Sequence, residues 1–480
     1  MRPKTTRRGF LGAAGAVATG TWLLPAVYAA EPNGLRAGAA VADITPAPGV
    51  SLSGPVTKRE PVRRVVTPLR ARALVLDNGR ERVAFVVCDC ASIYYSKTAD
   101  KAKRLVREQT VLPPERLMIS TTHTHAAPRV GLGTSELDLQ YYDLFCRRVA
   151  EAVSMAIENL APAKIGWGVG SKPEFTRCRR NLLEPGTFGL NPFGEQKDRA
   201  VMCAWGKAVR PTGPVDPQVG VLSVQHADGR PLAVLANYSI HYVSGAKPGD
   251  VTADYHGHFA DRLATLMKAG NADPPFVGIM ARGNAGDTAA YRGGYEAMKK
   301  VGNALAEEVF RVCRQIDYHD RVPLAVRPST IQLGVRRPDA ERIEWAKAVL
   351  ADAWKGKAHR RTGVYATGTL ELAKFPATIP FCLQALRIGE LGITTVPCEM
   401  FASTALAIRK ASPLHPYFNI DLANGFWGYL PPPEQHKLGG YTTWPTTSSC
   451  LEVDAEPKIR RELLRLLHEV AQPADRKQQD

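Results

Sequence analysis

The chain has 480 residues, 45% hydrophobic and 22% charged, which excludes a disordered or fibrous protein and supplies apolar side chain for a sizeable core. Its formal net charge is +16, but Lys and Arg are spread in ones and twos, with small clusters only at 58–64 and 359–361. That pattern reads as a solvated basic surface, so no nucleic-acid partner is expected.

Residues 1–29 have a basic start, a charge-free stretch and a small-residue end, the layout of an export signal. Arg7 and Arg8 followed by Gly9, Phe10 and Leu11 resemble the twin-arginine type, with cleavage expected after Ala29 and a periplasmic or secreted bacterial product. The other reading, an uncleaved anchor, meets a 9–24 segment that is short for a bilayer and rich in Gly and Ala. From residue 30 onward, short apolar runs predict strands at 71–78, 82–89, 116–121, 164–170, 220–226, 232–241, 276–281, 383–389 and 392–397. Apolar spacing of three and four predicts helices at 98–109, 138–160, 256–269, 293–316, 339–355, 399–411 and 456–471. Residues 171–218 are aperiodic and rich in Pro and Gly, which suggests a long loop walling a pocket. With no repeat and no linker, residues 30–480 read as a single large α/β domain of mixed β-sheets flanked by helices. Nine cysteines include no CxxC pair, and Cys88 and Cys90 are read as small buried hydrophobes.

Reactive residue types gather where apolar strands run out, the usual place for ligands in open α/β sheets. "STTHTHAAP" puts His123 and His125 two apart after one strand, so an extended backbone would project both to the same side. By itself an HxH pair serves equally as metal ligands, as acid and base, or as a polar strand end. "NYSIHYV" ends another strand at His241, "VPCEMF" brings Glu399 to the head of a helix, and "GFWGYLPPPEQH" carries Tyr429 in a Gly- and Pro-rich loop. Each also has a structural reading: a terminal His, a first-turn Glu favoured by the helix dipole, and a ring packed under a loop.

Taken together with "LRAGAAVADITPAPG", "THTHAAP", "GPVDPQVGVLSV" and "RGNAGDT", these segments occur in an order that resembles the N-terminal catalytic domain of neutral/alkaline non-lysosomal ceramidases. The resemblance implies a zinc-dependent amidase acting on a small-molecule or lipid N-acyl substrate, with one Zn2+ held by His123, His241, Glu399 and Tyr429. It implies His125 as a second active-site histidine that carries a proton or steadies the tetrahedral intermediate. Neutral imidazoles, a carboxylate and a phenolate suit a borderline-soft cation, which in turn activates water for hydrolysis. Arg179 and Arg180 resemble an Arg-containing family loop near the pocket mouth, where a guanidinium binds a substrate oxygen or carboxylate, the other reading being two solvated arginines; Asp89 is placed to orient a ligand histidine. Asn284 and Asp287 belong to a turn whose backbone amides are expected to face an oxyanion.

Three departures stand against the resemblance. The family's catalytic Ser in "GDxSPN" is replaced by Ala289, and Thr288 beside it would point the other way. No C-terminal immunoglobulin-like domain is expected in this chain. "TADYHGHFADRL" introduces Asp254, His256 and His258, either a helix start with surface histidines or a second metal site. The expected function is therefore an exported ceramidase-like zinc hydrolase of an amide. The alternatives are a non-catalytic secreted binding protein of the same fold and a two-metal esterase or phosphatase. Peripheral membrane contact is compatible with either kind of protein, and the sequence leaves the oligomeric state open.

Overall fold

In strand Arg82–Cys88, Val83, Phe85 and Val87 enter one core while Ala84, Val86 and Cys88 enter another. A period of two is thus hidden beneath a continuous apolar run, because both faces of the sheet are covered. The computed structural model describes residues 34–53, 60–203, 208–270, 272–289 and 293–472. The expected export signal at 1–29 lies outside the described residues.

The larger sheet has eight strands in the order Val277–Arg282, Pro231–Tyr238, Gln218–His226, Ala161–Ser171, Arg36–Asp43, Arg70–Asp77, Arg82–Cys88 and Leu117–Thr121. Its interior pairs are antiparallel, and the outermost pair at each edge is parallel. Helix Lys97–Thr110 and helix Asp254–Leu266 lie within those two parallel crossovers. Strand Val277–Arg282, at one edge, also packs against Leu117–Thr121 at the other, so the sheet curls and brings its edges together. The second sheet runs Leu324–Gly334, Thr378–Ile388, Leu391–Thr395, Tyr417–Ile420.

Leu74, Phe85, Leu222, Leu386, Ile393 and Phe418 belong to one core that holds the two sheets together. On the outer face of the larger sheet, helices Lys97–Thr110 and Glu136–Glu158 share one core, and Asp254–Leu266 and Gly294–Cys313 share another. Helices Ala402–Ala411 and Ala455–Ala471 cover the second sheet. The architecture is thus the expected mixed α/β arrangement of sheets flanked by helices, and the nine strands and seven helices read from periodicity all form.

Residues 171–218 are a partial correction. They contribute strands Arg180–Leu183, Ala200–Met202 and Ala208–Pro211, a small sheet that the Pro and Gly content concealed. All nine cysteines are free, and Cys88 and Cys90 are fully buried in the helix-facing core. Among the described residues no helix is long and apolar enough to cross a membrane.

Candidate metal centre

The curled sheet delivers two strand ends to one point. After Leu117–Thr121, His123 turns into the left-handed region at φ 63°, with its amide donating to the Cys90 carbonyl at 3.0 Å. The extended HxH geometry expected from sequence is therefore corrected: the backbone bends at His123, and the His125 Nε2 comes to 3.2 Å from the His123 Nε2. After Pro231–Tyr238, His241 brings its ring centroid to 4.8 Å from that of His123. His123, His125 and His241 each offer a ring nitrogen within 4.8 Å of the others, a buried grouping able to hold a metal ion.

Glu399 is not in the first turn of a helix. Residues Glu399–Met400 pair in parallel with Tyr429–Leu430, which sets Glu399 beside Tyr429, and the helix begins only at Ala402. The Glu399 Oε2 lies 3.8 Å from His123 Nε2 and 3.7 Å from His241 Nδ1. Its strongest partner is one that sequence reasoning left without a role: Arg282, fully buried at the end of its strand, donates from Nη2 to Glu399 Oε2 at 2.8 Å. A charged residue closing an otherwise apolar strand beside "GNAGD" is the signal that marks it. The Tyr429 hydroxyl accepts from Arg179 Nη2 at 3.0 Å.

The rings are oriented for metal binding. His123 Nδ1 donates to the Ala91 carbonyl at 2.6 Å, which leaves the Nε2 lone pair facing His125. His241 Nδ1 lies 3.1 Å from the Ala285 carbonyl and 3.1 Å from Arg282 Nη2. Arg282 can only donate and has the better-placed Glu399 oxygen, so the Nδ1 proton is assigned to the Ala285 bond and Nε2 keeps its open lone pair. Burial, followed by the Arg282 charge for His123 and the Arg179 charge for His241, holds both imidazoles far below their ordinary pKa and hence neutral. The 3.2 Å between the His123 and His125 Nε2 atoms places His125 directly beside the nitrogen that His123 would offer to an ion. Burial raises the Tyr429 phenol well above its usual pKa, and the Arg179 charge opposes that rise. Neutral rings, a carboxylate and a phenol held by a cation are a donor set that fits a divalent transition metal.

The remaining candidates divide. His125 is half-buried and stacks on Tyr242, ring centroids 4.0 Å apart and planes 14° from parallel. Arg179 lines the cavity and donates from Nη2 both to the Tyr429 hydroxyl and to the Gly286 carbonyl, the latter at 2.9 Å. In the turn at Asn284 and Asp287, three successive amides are already used. The N–H groups of Asn284, Ala285 and Gly286 donate to Ser239 Oγ, Asp421 Oδ2 and the Met400 carbonyl, so the expected oxyanion role is not available to them. A Cβ at Gly286 would lie 2.4 Å from the Glu399 carbonyl, which explains the glycine: the turn is pressed against the Glu399 strand. Asp287 accepts from the Ala402 amide at 2.9 Å at the start of the helix, and burial lifts its carboxyl to about 6.

Asp89 is likewise corrected. It pairs with Arg72 at 2.6 Å, and His123 takes the Ala91 carbonyl instead. Asp254 spends its carboxylate on the amides of Val243, Ser244 and Tyr255, fixing the loop after His241. His256 is buried against Tyr255 and His258 is half-buried, and among the described residues Asp254, His256 and His258 form no second metal grouping. Ala289 lines the cavity while Thr288 is fully buried, the alternation expected of extended backbone.

The centre opens onto a cavity of about 260 Å³ lined by His125, His241, Tyr429, Arg179, Tyr441 and Ala289, among others. His125 and Tyr242 also line a neighbouring cavity of about 370 Å³. On the other side, Met202, Cys203, Arg361 and Tyr441 are shared with a third of about 620 Å³, walled partly by the 171–218 segment.

A family model described as neutral/alkaline non-lysosomal ceramidase, N-terminal, matches residues 35–309. Neutral ceramidase B of Dictyostelium discoideum is 23% identical over 264 residues, covering 52% of this chain and 34% of the relative. The chain therefore spans about a third of the length of that curated relative. The crystal structure of neutral ceramidase from Pseudomonas aeruginosa superposes with a TM-score of 0.66 at 16% identity, over 92% of this chain and 76% of that one. A structure described as ceramidase complexed with C2 matches equally well, with a TM-score of 0.66 over 93% and 77%. At these identities the structural likeness speaks to the fold.

Proposed function

Because the chain belongs to the neutral/alkaline non-lysosomal ceramidase family, we propose that it is an exported, metal-dependent hydrolase of the amide bond in an N-acyl substrate. The observation that supports this most directly is the convergence of His123, His125, His241, Glu399 and Tyr429 on one buried point at the wall of a cavity. His123, His241, Glu399 and Tyr429 would hold the ion, with zinc the metal that best suits the set. When bound, such an ion polarises a carbonyl and lowers the pKa of water toward ~7.

The chain's own groups do the rest. Arg179, held over Tyr429, offers its guanidinium to the substrate carbonyl oxygen as charge develops there. His125 is the general base at Nε2: it takes the proton of the attacking water and returns it to the departing nitrogen, its ring angle fixed by the stack on Tyr242. Ala289 offers no nucleophile, so attack falls to water and no acyl-enzyme forms at that position. Arg282 holds the Glu399 carboxylate in place at 2.8 Å and is itself fully buried.

The test is hydrolysis of a long-chain N-acyl amide before and after chelation. The reading expects activity that is lost on chelation and restored by zinc. Chelator-resistant activity that survives in His123→Ala would reject it, as would the absence of N-acyl hydrolysis by protein carrying its metal.

A further inference from the structure

The cavity at the metal centre is more cationic than amide hydrolysis needs. Arg177, Arg179 and Arg361 all line it, with no Asp or Glu among its described lining residues. One guanidinium, Arg179, suffices to meet a carbonyl oxygen. The others lead outward: the Arg361 guanidinium lies 4.7 Å over the Tyr441 ring, and Tyr441 meets Tyr429 at 5.7 Å between centroids. Guanidinium and phenol groups thus run from Tyr429 to the mouth, where Arg361 also borders the 620 Å³ cavity together with Arg360 and His359. Arg179 is only 8% exposed, and its Nε makes no hydrogen bond among the described residues.

The cavity on the opposite side of His125 and Tyr242 has the reverse character. It is lined by Leu52, Ala126, Ala246, Pro248 and Met298, and its charged members are three carboxylates, Glu60, Asp250 and Asp254, against one ammonium, Lys247. An anion entering there meets like charge, whereas one entering past Arg361 meets guanidinium in a partly desolvated wall, where such contacts are strongest.

We propose that the substrate carries an anionic group, a carboxylate or a sulfonate, on its amine portion, bound between Arg361 and Arg179, with the apolar acyl chain directed into the Leu52–Met298 side. This rests on the amidase reading above and narrows it to N-acyl amino acid-like amides rather than neutral N-acyl amines. Arg361 is the specificity-determining residue, since it stands apart from the metal centre at the mouth of the cavity.

The experiment compares N-lauroylglycine, N-lauroyltaurine and the neutral, similarly sized N-lauroylethanolamine with the metal-loaded full chain, in kcat/KM and in calorimetric affinity for His125→Ala protein, which does not turn them over. The expected result is a preference of about tenfold or more for at least one anionic amide over the neutral one. In Arg361→Gln that ratio collapses toward unity, and in Arg361→Lys it is largely kept. Whichever anion is preferred identifies the headgroup geometry. Equal or better use of N-lauroylethanolamine, or a ratio unmoved in Arg361→Gln, would overturn the proposal while leaving the amidase reading intact. Binding that shows the Arg361-dependent preference without any turnover by the metal-loaded protein would support the anion site and reject the amidase reading instead.

Discussion

Two short histidine motifs in this chain, "THTH" at 122–125 and "HGH" at 256–258, have the same spacing and opposite fates. In the first, a left-handed residue at a strand end folds the backbone so that two rings meet at 3.2 Å, and a third arrives from another strand end. In the second, the pair sits in helix Asp254–Leu266, where residues two apart project about 200° from each other and cannot share an ion. His256 is buried and His258 half-exposed as a result. Spacing alone says little about metal binding; the backbone that carries it decides which rings converge.

The largest effect expected from breaking this contrast is in His123→Ala, which should lose its metal and about 1,000-fold or more in kcat/KM, measured by elemental analysis beside amide hydrolysis. Next comes Arg282→Met. It leaves Glu399 and Asp421 buried without their guanidinium, Arg282 Nη1 lying 3.7 Å from Asp421, and should cost about 3–5 kcal/mol in denaturant unfolding.

On the helical side the expected readout is pH. His256 is 2% exposed, and burial followed by the Arg72 charge holds it well below the ordinary pKa of 6.5, with a hydrogen bond to the Ala253 carbonyl opposing. A histidine whose folded pKa is depressed leaves the unfolded chain binding the extra proton below that value. Its contribution is therefore fully present above about pH 6.5 and is lost as pH falls, at up to about 1.4 kcal/mol per pH unit. His256→Phe should remove that slope between about pH 6 and 5 while leaving metal content unchanged, as followed by thermal unfolding of metal-free protein. The smallest effect is expected for His258→Ala, within about 0.5 kcal/mol of the parent and with the metal retained.

Strands such as Arg82–Cys88 were legible because burial on both faces leaves an apolar run that turns cannot imitate. Leu324–Gly334 was not, since it exposes Arg327 and Pro328 and takes its identity from pairing with Thr378–Ile388. Arg36–Asp43 is rich in alanine, a weak strand former, and is fixed by its neighbour Arg70–Asp77. Helix Thr362–Ala373 likewise shows little amphipathic pattern. At the site, His123, His241, Glu399 and Tyr429 were marked by strand ends and by family order, and the fold brings them together. The groups that orient them were invisible because two are backbone carbonyls, Ala91 and Ala285, which any residue could supply. The turn amides of Asn284 to Gly286 misled for the converse reason: a Gly-containing turn suggests open donors, and only the folded chain shows that they are already used.

The most direct test of the central claim is the metal content of the purified full-length chain. The account predicts about one equivalent of a transition metal, with zinc preferred, lost in His123→Ala and in His241→Ala and retained in His256→Phe. Less than about half an equivalent under non-chelating conditions, or a second equivalent that disappears with His256, would contradict it.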